Sequence, residues 1–93
     1  MIIVAATVIA RPGCEDAVER QCIGLLAPTR AERGCERYAA GRDLVDGRVY
    51  RFYEHWRDRA ALDAHFASAH FLAAKEAIGP LLEREPEILI FEV

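Results

Sequence analysis

The spacing of apolar and polar residues divides the chain into alternating strand-like and helix-like segments. Ile2–Ala10 is an almost continuous run of small and β-branched apolar residues, a pattern typical of a strand buried on both faces. The Pro12–Gly13 pair ends this run. Apolar residues then recur at three- and four-residue steps over Cys14–Arg33, which predicts an amphipathic helix that stops at Gly34. Because Pro28 removes a backbone donor, we expect a kink or an irregular last turn there.

The next two segments predict a β-hairpin, and the last predicts a single strand. Cys35–Leu44 and Arg48–Trp56 have strand-like composition and flank Val45–Gly47, which contains an Asp-Gly pair. An Asp-Gly pair between two such runs is a strong hairpin signal, so the two strands are expected to be antiparallel. Glu87–Val93 follows a Glu-Pro pair and is mostly apolar, which indicates the final strand.

Two short helices are predicted between the hairpin and the final strand. Asp58 can cap a helix over Arg59–Ala67, and Ser68 can cap another over Ala69–Ile78. Gly79–Pro80 weakens or breaks the helix at its end. The positions expected to face the core are Leu62, His65, Phe66, Phe71, Leu72, Ala74 and Ile78.

The order of these elements, β-α-β-β-α-β, predicts an α+β chain with the ferredoxin-like fold. In that fold the helices lie on one face of a four-stranded antiparallel sheet, and residues 1–93 would form a single domain. The first and last strands carry large apolar residues on both faces, yet the helices can cover only one. An uncovered apolar face favours association. We therefore predict a homodimer through the sheet faces.

Composition and charge exclude several classes of function. The 12 lysines and arginines are scattered among 15 carboxylates, and the net charge is -3, which argues against a nucleic-acid partner. The apolar N-terminal run is too short to cross a membrane and does not resemble a signal peptide. Cys14, Cys22 and Cys35 have no metal-ligand or redox spacing, so we expect reduced thiols in a cytoplasmic protein.

Two histidines near the helix break are the candidate catalytic residues. In one unbroken helix His65 and His70 would point about 140° apart, but a break at Ser68 would let them converge. Imidazole titrates near neutral pH and could exchange a proton with a phenolic oxygen. The alternative for His65 is a core histidine bonded to a backbone carbonyl, and for His70 a residue that fixes the joint. We expect no metal, because the sequence offers no clear third ligand.

Aromatic residues around these histidines could form the walls of a pocket for a flat aromatic ligand, although an aromatic run at strand spacing is more often ordinary core. These residues are Tyr50, Phe52, Tyr53, Trp56, Phe66 and Phe71. Glu54 lies between Phe52 and Trp56 on the same face of the strand. If that face is buried, the carboxylate needs a partner, for which Arg37 and Arg51 are the candidates. No nucleophile elbow, phosphate loop or dinucleotide fingerprint is present.

Several stretches of the chain resemble the antibiotic biosynthesis monooxygenase (ABM) family of dimeric α+β barrel proteins, which includes quinol monooxygenase-like members. They are A-P-T-R-A-E-R-G-C-E-R-Y (Ala27–Tyr38), the Asp46–Gly47 hairpin, Y-E-H-W-R-D-R-A-A-L-D-A-H-F (Tyr53–Phe66) and S-A-H-F (Ser68–Phe71). The resemblance implies a dimeric α+β barrel with a pocket between sheet and helices in each subunit.

The resemblance also implies a function. Several members of the family oxidise quinols or polycyclic phenols with dioxygen and no metal, flavin or haem. By this resemblance His65 and His70 would handle protons, and Trp56, Phe66 and Phe71 would form walls. Tyr38 and Tyr53 would be hydrogen-bond donors.

The haem-degrading branch of the same fold is a poor match. That branch uses an asparagine on the first strand, a tryptophan on the short helix and a histidine on the next. This chain contains no asparagine, has His65 at the tryptophan position and has Lys75 near the histidine position. Two alternatives remain open: a non-catalytic dimeric protein that binds a small molecule or acts in stress, and an isomerase or lyase on the same barrel.

Overall fold

A computed structural model, which describes residues 1–93, contains one four-stranded antiparallel sheet. The strands are β1 (Ile2–Ile9), β2 (Cys35–Arg42), β3 (Val49–Trp56) and β4 (Glu87–Glu92), in the spatial order β2-β3-β1-β4. The register aligns Ala5 of β1 with Tyr53 of β3 and with Leu89 of β4. The predicted ferredoxin-like sheet is confirmed.

Three helices lie on one face of this sheet. They are α1 (Glu15–Arg30), α2 (Arg59–Phe66) and α3 (Ala69–Ile78), followed by a single 3₁₀ turn over Gly79–Leu81. Both predicted caps are present: Asp58 accepts a hydrogen bond from the Ala61 amide at 2.9 Å, and Ser68 accepts one from the Phe71 amide at 3.3 Å. The Ser68 hydroxyl also donates to the His65 carbonyl at 2.6 Å, so one side chain fixes the angle between α2 and α3. None of the three helices has both the length and the apolar composition that a membrane-spanning helix requires.

Successive side chains along each strand point to opposite faces of the sheet, an inner face toward the helices and an outer face away from them. Val4 of β1 and Trp56 of β3 are buried on the inner face, where they pack with Val18 of α1 and Leu62 of α2. The outer-face residues of β1 are only half-buried and those of β4 are exposed. The prediction that the first strand is buried on both faces is therefore wrong for the single chain.

The predicted boundaries differ from the observed ones mainly at the end of α1 and at the turn of the hairpin. Helix α1 ends at Arg30, two residues after Pro28, and the Glu32 amide then donates to the Thr29 carbonyl at 3.0 Å in a tighter turn. Strand β2 ends at Arg42, so a longer loop replaces a tight Asp-Gly turn. In this loop the Asp43 carboxylate accepts hydrogen bonds from the amides of residues 45 and 46. Leu72, predicted to face the core, is 51% exposed.

The turn between α1 and β2 packs closely against α2. Gly34 has φ of +88°, and a Cβ atom placed on it would lie 2.6 Å from the Cβ atom of Ala61. The Gly34 carbonyl also accepts a hydrogen bond from the Arg57 amide at 2.8 Å. This close approach brings Glu32, in the same turn, against the end of α2.

Candidate functional site

A cavity of about 640 Å³ lies between the inner face of the sheet and α3. Its apolar lining comes from the strands, the helices and the segment before β4: Val4, Ala6, Val8, Leu25, Phe52, Phe66, Phe71, Ala74, Ile78, Leu82, Pro86 and Ile88. Tyr38, Glu54 and His65 add polar groups to this lining. Ile88, on the inner face of β4, is 43% exposed, so the cavity is open near this edge strand. Five charged residues also line it: Arg11, Lys75, Glu83, Arg84 and Glu85. A largely apolar cavity with a limited number of polar side chains is typical of a small-molecule site.

One carboxylate oxygen links both candidate histidines. Glu32 Oε2 lies 2.6 Å from His65 Nδ1 and 2.7 Å from His70 Nε2. His65 is buried, whereas Glu32 and His70 are half-buried. The break between α2 and α3 thus brings the two histidines together as predicted, on a partner that the sequence analysis did not identify.

This arrangement determines where the protons lie on the two rings. An ionised carboxylate can only accept hydrogen bonds, so His65 Nδ1 and His70 Nε2 both donate to Glu32. The neutral His65 ring then carries its lone pair on Nε2, which has no hydrogen-bond partner in the protein. His65 lines the cavity, so this nitrogen is the basic atom available to a bound molecule.

Burial keeps His65 in its neutral form. Its ring centroid lies 4.7 Å from that of Trp56, 5.1 Å from Phe71 and 5.7 Å from Tyr38. Desolvation by these neighbours lowers the pKa of His65 below 6.5, although the hydrogen bond to Glu32 opposes the shift. A neutral imidazole held by a carboxylate can accept a proton and then be stabilised as the imidazolium.

Glu54 is a second titratable group in the cavity wall. Its Oε1 accepts a hydrogen bond from Trp56 Nε1 at 2.9 Å, so the predicted partnership with Arg37 or Arg51 is wrong. Both arginines belong to the outer face, and Arg51 instead pairs with Asp43 at 2.6 Å. Desolvation by burial raises the pKa of Glu54 to about 7. This carboxyl can therefore give or take a proton near neutral pH.

Tyr38 provides a neutral hydroxyl beside these groups. It lies opposite Glu54 in the register of β2 and β3, and it is buried. Burial raises the pKa of Tyr38 well above 10, and the nearby Glu54 adds to the shift. The phenol therefore stays protonated and keeps a hydroxyl that can donate a hydrogen bond.

Not all of the remaining predicted site residues line the cavity. Phe52, Phe66 and Phe71 line the cavity, and Trp56 is fully buried behind the His65 ring. Tyr53 lies on the outer face of β3, where its hydroxyl is 2.6 Å from His55 Nε2, and it does not line the cavity. Its neighbours Phe52 and Glu54 point inward, so the alternation of the strand accounts for its position.

Glu32 was missed because nothing local distinguishes it. It lies in a polar turn with Glu and Arg neighbours, where a carboxylate is ordinarily a solvated surface group. The only signal was its position within the Ala27–Tyr38 stretch. Glu32 is also the third potential metal ligand that the sequence analysis did not find, because its oxygen and the two histidine nitrogens lie within 4.8 Å of one another.

Known proteins with similar sequences and structures support a family assignment. The chain is 32% identical over 92 residues to an uncharacterized protein of Synechocystis, covering 99% of this chain but only 63% of that protein. It is 33% identical over 89 residues to Rv0793 of Mycobacterium tuberculosis, provisionally named a monooxygenase, covering 96% of this chain and 87% of that protein.

Solved structures show the same fold over nearly the whole chain. Rv0793 superposes with a TM-score of 0.93 at 32% identity, covering 99% of this chain and 93% of that one. The Pseudomonas aeruginosa protein PA3566 superposes with a TM-score of 0.92 at 36% identity, covering 99% and 92% respectively. The family model described as antibiotic biosynthesis monooxygenase matches residues 1–77. The chain therefore belongs to the antibiotic biosynthesis monooxygenase family.

Proposed function

We propose that this protein is a monooxygenase that oxidises a quinol or a polycyclic phenol with dioxygen and without a cofactor. The observation that supports it most directly is the pairing of Glu32 with His65 at the wall of an aromatic-lined cavity, which leaves Nε2 of His65 as a free base. Phe52, Phe66 and Phe71 provide apolar surface for a flat ring, and the cavity volume suits a molecule of two or three rings.

In the proposed reaction His65 Nε2 removes the phenolic proton, and Glu32 stabilises the resulting imidazolium. The phenolate is electron-rich and transfers an electron to dioxygen, after which the two radicals combine at a ring carbon. For a quinol, the substrate supplies all four electrons: one oxygen atom enters the product as a hydroxyquinone, and the other leaves as water. Tyr38 can donate a hydrogen bond to the developing oxyanion.

Two features argue against a protein in which these aromatic residues and histidines are only part of the core. A protein that used these aromatic residues only as core would fill the space between sheet and helices, whereas a cavity of about 640 Å³ is present. Purely structural histidines would be expected to bond to backbone carbonyls, whereas His65 and His70 share a carboxylate.

The test is oxygen uptake by the purified, metal-stripped protein on addition of dihydroxynaphthalenes and anthrone-type phenols. We expect uptake, with one atom of ¹⁸O₂ in the product and the other in water. Ligand binding without oxygen uptake across the panel would favour the binding-protein alternative. Isomerised or cleaved product formed without oxygen would favour the isomerase or lyase.

A further inference from the structure

We propose that Glu32, His65 and His70 form a binding site for a divalent transition-metal ion of the Zn²⁺ type, and that the ion blocks His65 as a base. The inference starts from the convergence of three ligating side chains from three separate elements. Glu32 comes from the turn after α1, His65 from the end of α2 and His70 from the start of α3. Their ligand atoms lie within 4.8 Å of one another.

The donor set determines the class of ion. Two imidazole nitrogens and one carboxylate oxygen suit Zn²⁺, Fe²⁺ and Co²⁺, whereas Mg²⁺ and Ca²⁺ prefer oxygen donors alone. Two histidines and a glutamate also form known zinc sites in which water occupies the fourth position. The Glu32 carboxylate neutralises one of the two positive charges of the ion. Because only three side chains ligate it, the fourth position stays open to water.

Only a small rearrangement is needed. In a tetrahedral site with bonds of about 2.0 to 2.1 Å, the ligand atoms are roughly 3.3 Å apart. The present contacts of 2.6 and 2.7 Å to Glu32 Oε2 are shorter, because two protons rather than a metal hold the three groups together. His65 is fixed in the core, but Glu32 and His70 reach solvent, so both can adjust and the ion has a route of entry.

Metal binding would exchange the proton positions on His65. Coordination requires the lone pair of Nδ1, so the proton that this nitrogen donates to Glu32 must be displaced and Nε2 becomes the protonated nitrogen. In that state Nε2 presents an N–H to the cavity and cannot accept a phenolic proton. The metal-bound and base-competent states of His65 therefore exclude each other.

Binding can be measured without any substrate. Tag-free, metal-stripped protein is titrated with Zn²⁺ by calorimetry and with Co²⁺ by visible absorption. We expect one ion per chain. His70→Ala and Glu32→Gln should each weaken binding by at least about 100-fold, since losing a ligand should exceed the 10- to 100-fold cost of losing an outer-shell partner. His55→Gln is the matched control, because it changes the remaining histidine, on the outer face, and should bind like the wild type.

A second measurement examines the proton exchange directly. The ¹⁵N spectrum of the wild-type histidines should show His65 changing from the Nδ1–H to the Nε2–H form on addition of one equivalent of Zn²⁺. The absence of stoichiometric binding would overturn the proposal, as would binding unchanged in both ligand variants. Thiolate-to-Co²⁺ bands would assign the ion to cysteine and would also overturn it. If the protein binds no metal, the proposed monooxygenase activity can still be tested by oxygen uptake. If it takes up no oxygen, the metal site can still be tested by titration.

Discussion

At the scale of single residues, Glu32 decides what His65 can do. Glu32→Gln keeps the size of the side chain but removes the charge that orients His65 and stabilises its imidazolium. We expect oxygen uptake with a responsive phenol to fall by about 100-fold or more, in the range measured for loss of a general base. His65→Gln should have at least as large an effect, and His55→Gln should have none. With intact circular dichroism, unchanged turnover in Glu32→Gln would show that the Glu32 charge is not needed, and unchanged turnover in His65→Gln would remove His65 from the base role.

Glu54 is expected to make stability depend on pH. Its carboxyl keeps a proton up to about pH 7 in the folded chain, but only to about 4.5 when unfolded. Between these values the folded state binds more protons, so raising the pH lowers the free energy of unfolding. The free energy of unfolding begins to fall above about pH 4.5, and the contribution of Glu54 is fully lost above about pH 7. This contribution is at most about 3 kcal/mol.

Comparison with Glu54→Gln isolates this contribution from those of the other titrating groups. The amide oxygen of glutamine can still accept the hydrogen bond from Trp56, but it does not ionise. Chemical denaturation across pH 4 to 8 should therefore show a smaller decline for the variant than for the wild type. Parallel curves would mean that Glu54 ionises normally in the folded protein.

At the scale of elements, the turn between α1 and β2 positions Glu32, and Gly34 allows that turn to approach α2. Gly34→Ala should destabilise the protein by roughly 2 to 3 kcal/mol, because it combines a left-handed backbone with a contact of 2.6 Å to Ala61. Gly13 is the matched control: its φ is also +88°, but no atom lies within 4 Å of the place that an added methyl group would take. Gly13→Ala should cost only the backbone contribution, about 1 kcal/mol.

Thermal or urea unfolding of both variants measures this difference. Ala61→Gly in the Gly34→Ala background should recover part of the loss, since it removes the clashing methyl group. Equal destabilisation by Gly34→Ala and Gly13→Ala would show that the turn can move away from α2 at little cost.

The elements were predictable because their signals are local. Asp58 and Ser68 mark the starts of their helices, and the alternation of β3 is visible in its sequence. The site was only partly predictable, because it depends on contacts between distant segments. His65 and His70 were found from their own chemistry, but their common partner Glu32 is 33 and 38 residues away. The burial of Glu54 was considered only as a condition, and its bond to Trp56, two residues along the same strand, was not predicted.

At the scale of the whole molecule, the outer face of the sheet should be the surface through which two chains associate. Tyr53, Leu89 and Phe91 are 46 to 49% exposed there and lie beside Ile3 and Ala5. A contiguous apolar surface of this kind is uncommon on monomers. Stable interfaces bury about 800 Å² per partner, and a four-stranded sheet face offers an area of that order. We therefore expect a homodimer, sheet against sheet.

Sedimentation equilibrium at micromolar concentration tests this association. Leu89→Glu places a charge on the outer face, beside Ala5 of β1, and should produce monomers. Ile23→Glu adds the same charge to another exposed apolar position, on α1, and should remain dimeric. A monomeric wild type would contradict the prediction, and a dimeric Leu89→Glu would move the interface to another surface. The partner would cover the outer face of β4, and β4 also contributes Ile88 to the cavity wall. Loss of the partner should therefore weaken phenol binding as well, because this edge strand is held in the sheet only by β1.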